Sequence, residues 1–366
     1  MYASKSPRQA GLAHDAARVR RGRGGRWLVC GFALALGCGG RSAVVAAAEP
    51  PAATMMAVRL HGYGDVGNLH FDRVPRPEAA PGTVRVREFA AGINPYDWKF
   101  RDGNLRRFFN PTLPIVPGIE FAGVVDQVGA GVMRWKPGDA VYGYVGEDGA
   151  GAYAEYVVVP QGNLAHKPKA LDFAAAAAIP VATQTAWKAL FETADAKRGQ
   201  RLLLQGGSGA VGLAAIQLAR LRGLEVAAVA STAKAALMRE YGASITYDYR
   251  KQKVVEIAGQ YDVVIDGVGA ATIADSLRMT RDGGTLVAMN APAAAADCAA
   301  RQVRCLVLQN FRASPAAVAE ITRLVADGKL KVPVGQRFPL AEAGAAQERS
   351  RAGGPGGKIV LRIGAP

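Results

Sequence analysis

The sequence predicts two folding units, an all-β unit built as a small barrel and a doubly wound parallel α/β sheet. Short stretches of alternating apolar and polar residues, divided by Gly and Pro, indicate the first unit over residues 56–160. From residue 200, continuous apolar stretches alternate with helix-length segments, which is typical of a parallel sheet covered on both faces. The extended tail after Pro333 is expected to return to the first unit as a strand.

The same patterns place the individual elements. The strands of the first unit are predicted at residues 56–60, 83–87, 123–128, 140–142 and 154–159. Those of the second unit are predicted at residues 201–205, 226–230, 245–248, 261–266, 284–289 and 304–308. An Ala-rich stretch at 172–191 predicts helix interrupted at Pro180, residues 315–328 predict a last amphipathic helix, and 357–361 predict the returning strand.

Composition restricts the classes of function. Half of the 366 residues are apolar, which is typical of globular domains, and the net charge of +15 suggests an acidic partner. The charge is uneven, because eight basic and two acidic residues precede Met55. Four cysteines in this length exclude a disulfide framework. The four histidines share no close spacing along the chain, so composition predicts no His/Cys metal site.

A glycine-rich loop carries the strongest chemical signal. Gly206, Gly209 and Gly212 follow the apolar strand at 201–205 and precede a helical stretch at 213–220. Glycines there allow a tight turn and let backbone N–H groups approach a pyrophosphate at a helix N-terminus. The alternative is a turn without a ligand, which the strand–helix alternation that follows disfavours. The loop residues predicted to bind a dinucleotide are Gly206, Gly207, Ser208, Gly209, Ala210 and Val211.

The end of the sheet's second strand indicates which nicotinamide cofactor binds. A site for NAD usually has Asp or Glu there, but Glu225 falls at the opposite edge of the sheet. The strand is instead followed by Ser231 and Lys234, and Tyr249 follows the third strand. A hydroxyl, a cation and a phenol suit a 2′-phosphate, so the sequence predicts NADPH. The alternative for Lys234 is a solvated lysine in the first turn of a helix.

Four motifs in a fixed order resemble a known family. Residues 91–99, 117–129, 136–139 and the glycine loop are similar to those of the medium-chain dehydrogenase/reductase superfamily, in its zinc-free quinone oxidoreductase and enone reductase branch. The resemblance covers residues 56–366. It implies a GroES-like β-barrel catalytic domain at 55–178 and 334–366, with a Rossmann NADP-binding domain inserted at 179–333. It also implies a homodimer.

Two positions depart from the zinc alcohol dehydrogenases of that superfamily. Asn94 stands where they carry a cysteine, and Ile119 stands where they carry a histidine. Neither supplies the thiolate or imidazole that catalytic zinc prefers, and the four-cysteine lobe that holds structural zinc is absent, so no metal is predicted. Glu120 is expected to pair with a nearby base.

The resemblance also places candidate side chains near the nicotinamide. Asn94 could donate to the substrate carbonyl or orient the cofactor, while Tyr96 and, less strongly, Lys99 could donate to a developing oxyanion. The alternatives are that Asn94 only fixes the loop before Pro95 and that Tyr96 only packs in the cleft wall. Three more positions, one in a helix and two after strand ends, are predicted to contact the cofactor: Thr185, Val268 and Asn290.

These residues predict a zinc-independent oxidoreductase that transfers a hydride from NADPH to a quinone or to the C=C bond of an α,β-unsaturated carbonyl. Two alternatives stay open. One is an enoyl-thioester reductase in which Arg106 and Arg107 meet a phosphorylated carrier. The other is a non-catalytic NADPH-binding protein that acts through partners. Nucleic acid is disfavoured as a partner, because the chain after Met55 shows no basic stripe interleaved with aromatics.

Residues 1–54 have two interpretations. An Arg-rich segment, the apolar run 27–36 and small residues up to 48 outline a secretory signal, which would export the protein to the periplasm. The run is shorter than the ~20 apolar residues of a spanning helix. Alternatively the start is misassigned, translation begins at Met55 or Met56, and the protein is cytoplasmic. Cytoplasm is favoured because reduced nicotinamide cofactor is plentiful there.

Overall fold

The computed structural model of the chain describes residues 53–146, 151–251 and 253–364. The two interpretations of the leader therefore lie outside the described residues, as do His14, Cys30 and Cys38. Within these ranges the strands are β1 (Thr54–Leu60), β2 (Leu69–Pro75), β3 (Thr83–Ile93), β4 (Glu120–Val128), β5 (Ala140–Tyr144), β6 (Tyr156–Pro160), β7 (Leu164–His166), β8 (Arg201–Gln205), β9 (Glu225–Ala230), β10 (Ile245–Asp248), β11 (Tyr261–Asp266), β12 (Thr280–Ala288), β13 (Arg304–Val307), β14 (Val334–Pro339) and β15 (Lys358–Arg362).

The helices of the same ranges fall between or after these strands. They are α1 (Pro95–Arg101), α2 (Phe173–Ala177), α3 (Pro180–Trp187), α4 (Ala210–Leu221), α5 (Ala235–Glu240), α6 (Ile273–Met279), α7 (Ala295–Ala300), α8 (Pro315–Ala326) and α9 (Ala343–Arg351). The Ala-rich stretch forms α2 and α3, and the break between them at Pro180 is confirmed, because proline begins the second helix at its first turn.

Seven strands form the sheet of the barrel unit, and β1 and β2 form a separate antiparallel hairpin. The long strand β3 is central, since β4 lies along one side of it while β6 and β15 share the other side. Strand β15 runs between β14 and β3, with Ile359 opposite Ile93. The predicted return of the C-terminal tail to the first unit is thereby confirmed.

The second sheet has six parallel strands in the order β10-β9-β8-β11-β12-β13. The chain winds outward from β8 in one direction and from β11 in the other, so the strand order reverses between these two neighbours. Each of its strands overlaps the apolar stretch that predicted it, although β12 begins at Thr280 and the predicted strand began at residue 284. The helix α4 fully buries Leu213 and Ile216 on this sheet, and each side chain stabilises the fold by about 2 kcal/mol.

A disulfide joins Cys298 on α7 to Cys305 on β13, with Cα atoms 6.1 Å apart. The cysteine count excluded a framework of several bridges and carried no signal for this one. The bridge forms because the chain reverses after α7 and returns as the edge strand β13, which brings the two thiols together.

No helix in the described ranges combines the length and the apolar character that crossing a bilayer requires.

Candidate active site

The glycine loop joins β8 to α4 at the point where the strand order reverses. Gly206 has φ +77°, a conformation that favours glycine, and Gly209 caps α4. A Cβ on Gly212 would lie 2.6 Å from the carbonyl oxygens of Gly206 and Gly207, and one on Gly207 would lie 2.7 Å from the Ala228 Cβ. No side chain fits at Gly207 or Gly212. The first N–H groups of α4 have no acceptor within the helix and stay available to a ligand. The turn at residues 206–212, called the cradle below, therefore fits the pyrophosphate of a dinucleotide.

A second glycine-rich loop from the barrel unit, residues 353–357, lies against the first. The N–H of Gly357 donates to the Ser208 carbonyl at 3.1 Å, and the Lys234 ammonium donates to the Pro355 carbonyl. This loop is not among the residues predicted for the cofactor site. Its signal was present in the run Gly353-Gly-Pro-Gly-Gly357, in which all four glycines have positive φ.

The loop after β9 holds the residues predicted to meet a 2′-phosphate. Ser231 and Lys234 are half-buried, while 60% of the Tyr249 surface is exposed. The Asp248 carboxylate accepts hydrogen bonds from the backbone N–H and the hydroxyl of Thr232, which fixes this loop. The guanidinium of Arg250 lies 5.4 Å from the centre of the Tyr249 ring and adds a cation that the sequence analysis missed.

The loops after β11 and β12 complete this edge of the sheet. The fully buried Asp266 carboxylate accepts from the N–H groups of Val268 and Gly269 at 2.9 and 2.8 Å, so it shapes the loop that presents Val268. The Asn290 side-chain amide donates to the Gly267 carbonyl at 3.0 Å. A Cβ on Gly206 would lie 3.4 Å from Val268, so the predicted positions Gly206, Val268 and Asn290 converge here.

Lys99 connects the two units across the cleft. Its Nζ, on α1 of the barrel unit, donates to Asn290 Oδ1 at 2.6 Å. Burial lowers the pKa of the Lys99 ammonium. Tyr96 precedes Lys99 by three residues on α1, so the two side chains share one face of that helix.

An apolar cluster surrounds Tyr96. It consists of Ile119, Tyr144, Val181 and Phe311, with the Tyr144 and Phe311 rings edge to face at 5.1 Å. Burial and, to a lesser extent, the charge of Asp97 raise the pKa of Tyr96 to about 12, so its phenol stays protonated at pH 7. Phe311 lies in the segment after β13 and was not predicted.

Thr185 lies one turn after Val181 on α3 and is buried. Its hydroxyl donates back to the Val181 carbonyl at 2.6 Å. That bond occupies the hydroxyl hydrogen, so a contact of Thr185 with the cofactor would use its oxygen or its methyl group.

A buried network occupies the position expected for Asn94. The Asn94 amide donates to Glu120 Oε1 at 2.9 Å and accepts from Lys358 Nζ at 2.6 Å, and only 5% of its surface is exposed. Glu120 also forms an ion pair with Lys358 and accepts from the Val181 N–H at 2.8 Å. The expected pairing of Glu120 with a base is confirmed. Asn94 Oδ1 and one of the two Nδ2 hydrogens are therefore engaged within the protein, while donation to a substrate by the second hydrogen stays a prediction.

Asp97 and Tyr153 extend this network. Asp97 Oδ2 accepts from the Asn94 backbone N–H at 2.6 Å and from the Tyr153 hydroxyl at 2.8 Å. Both residues are almost fully buried, and burial raises the pKa of Asp97 to about 7. Neither residue has a predicted role, because Tyr153 reaches Asp97 only through tertiary folding.

A catalytic zinc does not fit the residues present. Ile119 offers no donor atom, and the Asn94 amide and the Glu120 carboxylate are occupied by one another and by Lys358. A lysine ammonium thus neutralises Glu120. Amide and carboxylate oxygens without thiolate or imidazole are a poor donor set for zinc.

Two family models match the chain. One, described as "Alcohol dehydrogenase GroES-like domain", matches residues 80–169. The other, described as "Zinc-binding dehydrogenase", matches residues 241–361, which include neither Asn94 nor Ile119.

Individual relatives cover the chain more fully. A quinone oxidoreductase of Lama guanicoe is 30% identical and covers 84% of this chain and 98% of that protein. The chloroplastic NADPH-dependent alkenal/one oxidoreductase of Arabidopsis thaliana is 39% identical over 62% of this chain, and the match spans only 60% of the plant protein. The structure of the quinone oxidoreductase from Coxiella burnetii has a TM-score of 0.77 and 29% identity, with 85% of this chain and 100% of that chain covered.

The fold and the cradle together define a two-domain dinucleotide-binding protein, a GroES-like domain with an inserted Rossmann domain, and the predicted fold class is confirmed. The chain belongs to the medium-chain dehydrogenase/reductase superfamily, in its branch of quinone oxidoreductases and alkenal/one reductases.

Proposed function

We propose that this protein is an NADPH-dependent reductase that transfers a hydride, without a metal, to a quinone or to the C=C bond of an α,β-unsaturated carbonyl. The contact between Lys99 and Asn290 carries the proposal. It holds α1, with its two candidate donors Tyr96 and Lys99, at the strand ends where the glycine loop lies. Ligands of such sheets bind at this edge.

The bound cofactor supplies the hydride. Addition to a quinone or to the β-carbon of an enone leaves negative charge on an oxygen atom. The Lys99 ammonium and the protonated Tyr96 phenol donate hydrogen bonds to that oxygen, and the apolar cluster around Tyr96 excludes water. Donors fixed in a dry site stabilise developing charge more than donors in water.

Asn94 and Ile119, which stand in place of zinc ligands, support the reduction of conjugated acceptors. Oxidation of an alcohol develops alkoxide character, which a Lewis acid stabilises. The donor set around Asn94 and Glu120 does not suit zinc, whereas an enolate or hydroquinone oxygen needs only hydrogen-bond donors. The names of the Lama guanicoe and Arabidopsis thaliana relatives support the same class of acceptor.

NADPH is proposed over NADH because Ser231, Lys234 and Tyr249 surround the end of β9, while Glu225 lies exposed at its opposite end. Lys234→Ala should weaken NADPH binding by about tenfold or more, as expected for loss of one charge-assisted contact of roughly 1.5–3 kcal/mol, and leave NADH binding unchanged. Equal losses for both cofactors would place Lys234 outside the 2′-phosphate site.

The deciding experiment is turnover of NADPH with para-quinones, short enones and enoyl thioesters, with and without a chelator. We expect oxidation of NADPH with a quinone or an enone, insensitive to the chelator. No turnover with any acceptor at micromolar enzyme, combined with tight NADPH binding, would favour the alternative of a non-catalytic NADPH-binding protein.

The enoyl-thioester alternative is tested by the same acceptors. In the structure the Arg106 guanidinium bonds Asn110 Oδ1 at 3.2 Å and lies over the Tyr63 ring, so it is already engaged within the protein. Arg107 lies over the exposed Phe108 ring. The homodimer is likewise a prediction, which sedimentation of the purified protein will test.

A further inference from the structure

Three side chains outside the cleft converge on the β1–β2 hairpin. His61 directly follows β1, and His70 and Asp72 lie two residues apart on β2, where alternate residues share one face. Arg59 is opposite His70 in the antiparallel register, which brings His61 next to that histidine. The potential ligand atoms of His61, His70 and Asp72 all lie within 4.8 Å of one another.

This arrangement places two imidazoles and a carboxylate on an open surface. His61 Nε2 lies 2.6 Å from Asp72 Oδ2, and the two imidazole rings are 4.3 Å apart between centroids. Both histidines are exposed and Asp72 is half-buried. The exposed sides of both rings leave a ligand direct access from solvent.

We propose that His61, His70 and Asp72 form a binding site for one divalent transition-metal ion of the zinc type, with water completing its coordination. Two imidazole nitrogens and one carboxylate oxygen suit zinc, nickel or copper, whereas magnesium and calcium prefer oxygen ligands. Zinc bonds of about 2.0–2.2 Å in a tetrahedron place ligand atoms about 3.3–3.6 Å apart. The present separations range from 2.6 Å, between His61 and Asp72, to at most 4.8 Å, so the side chains must rotate to reach that geometry.

The fold creates this site from residues whose spacing gave no signal. His61 and His70 are nine residues apart in the sequence, and composition predicted no His/Cys metal site. The pairing of β1 with β2 brings the two histidines close together in space. The proposed ion would therefore bind away from Asn94 and Ile119, and the proposal does not depend on the proposed reductase activity.

Arg59 gives the proposal a distinctive consequence. Its Nη1 lies 3.8 Å from Asp72 Oδ2, and its Nη2 donates to the Pro114 carbonyl at 3.2 Å. A guanidinium beside Asp72 competes with a metal ion for the carboxylate and repels it. Arg59→Gln should therefore tighten metal binding several-fold. If the two histidines and Asp72 form only a surface ion-pair cluster, this substitution would leave metal affinity unchanged.

The test is titration of the untagged full chain with Zn²⁺ and Co²⁺, followed by calorimetry and by Co²⁺ absorption. We expect one site per chain, with Co²⁺ bands of nitrogen and oxygen ligation and no thiolate charge-transfer band that would report Cys30 or Cys38. His61→Ala, His70→Ala and Asp72→Asn should each weaken that site by at least about tenfold. His166→Ala, which removes an exposed histidine elsewhere, should leave it unchanged.

Thermal unfolding followed by circular dichroism confirms that each variant is folded. The proposal is overturned if the wild-type chain binds no Zn²⁺ or Co²⁺, or if the His61 and His70 variants keep wild-type affinity and stoichiometry. Loss of reductase activity would not bear on it, because metal binding is measured without substrate.

Discussion

Lys99 has a positive charge, lies at the cleft and is a candidate donor in the proposed reaction. Its ammonium is held by a neutral amide, Asn290, at 2.6 Å, so its positive charge is not cancelled by that partner. The lowered pKa of Lys99 reflects partial removal of the ammonium from water. A partly desolvated cation interacts more strongly with a nearby anion than a solvated one does. The residue is thus suited to stabilise an oxygen that becomes negative during reduction.

We expect Lys99→Met to lower kcat for an enone by about 100-fold, the usual effect of removing one donor to a developing oxyanion. NADPH affinity should change little, because the ammonium contacts no residue of the glycine loop. Steady-state kinetics and a binding titration measure the two effects. Lys169→Met, at an exposed lysine, is the matched control. An unchanged kcat would exclude Lys99 from the reacting centre.

Asp97 makes the free energy of unfolding decrease as the pH rises, whereas a carboxyl group with a lowered pKa has the opposite effect. Burial raises its pKa to about 7, so folding favours the protonated form. The resulting stabilisation is complete below the unfolded pKa of about 4 and is lost as the pH rises through about 7. Asp97→Asn, which cannot ionise but keeps an acceptor for Tyr153, should therefore gain stability relative to wild type by up to about 4 kcal/mol from pH 4 to pH 8. Denaturant unfolding at several pH values measures this difference, and a difference independent of pH would contradict it.

Individual residues differ in how far the sequence predicts their roles. Lys99, Asn290 and Val268 are predicted in the cleft region because they belong to motifs or follow strand ends, and the structure brings Lys99 and Asn290 into contact. Asn94 is predicted either to donate to a substrate or to orient the cofactor, and its buried network uses Oδ1 and one Nδ2 hydrogen, so this choice stays a prediction. Lys358 lies 264 positions away from Asn94 and carries no local pattern, so its contact arises only from the way β15 enters the sheet.

At the scale of elements, the turn from β8 into α4 requires glycine, because a side chain at Gly207 or Gly212 would clash with neighbouring atoms. Gly212→Ala would place a methyl group 2.6 Å from the Gly206 and Gly207 carbonyl oxygens, so the loop must open. We expect loss of NADPH binding by at least about tenfold, since the N–H groups would leave their positions. Gly162→Ala, where a Cβ meets nothing within 4 Å, is the control. NADPH affinity is measured by fluorescence titration. Wild-type affinity in the Gly212 variant would contradict the proposal that the glycine loop binds the pyrophosphate.

The bridge between α7 and β13 stabilises the edge of the parallel sheet. Cys298 and Cys305 are separated by seven positions, and closing so short a loop contributes about 2 kcal/mol. The double substitution to Ser should lower the free energy of unfolding by that amount, and a reducing agent should have the same effect on wild type only. Equal stability of both proteins under oxidising conditions would show that the bridge does not form.

The ends of strands were predictable where the pattern of apolar residues is regular, and less so where the pattern changes along the strand. The strands β8, β10 and β11 begin and end at the predicted residues. In β8 and β11 the reason is a continuous, largely buried apolar stretch with sharp limits. Strand β3 continues to Ile93, beyond the predicted end at residue 87. Its second half is buried throughout, so it lacks the alternation that marked the first half.

On the scale of the whole molecule, the barrel unit is discontinuous in sequence. Its last strand, β15, arrives after the entire parallel sheet and fills the place between β14 and β3. The same segment brings Lys358 to Glu120 and the Gly357 N–H to the glycine loop. The tail therefore links the stability of the barrel unit to the integrity of the cofactor site. The sequence indicated the returning strand, whereas the domain limits at residues 178 and 334 stay predictions.

Removing residues 356–366 should abolish folding of the barrel unit. The deletion leaves β3 and β14 without their shared neighbour and leaves Glu120 buried without its cation, and breaking a buried pair alone costs about 3–5 kcal/mol. Lys358→Met isolates that second effect and should give a folded protein destabilised by about this amount. Deleting only residues 364–366, beyond the hydrogen bond from the Ile363 N–H to Phe89, is the control and should unfold like wild type. Thermal unfolding by circular dichroism distinguishes these cases. A cooperative transition at the wild-type Tm in the longer deletion would show that the barrel unit closes without β15.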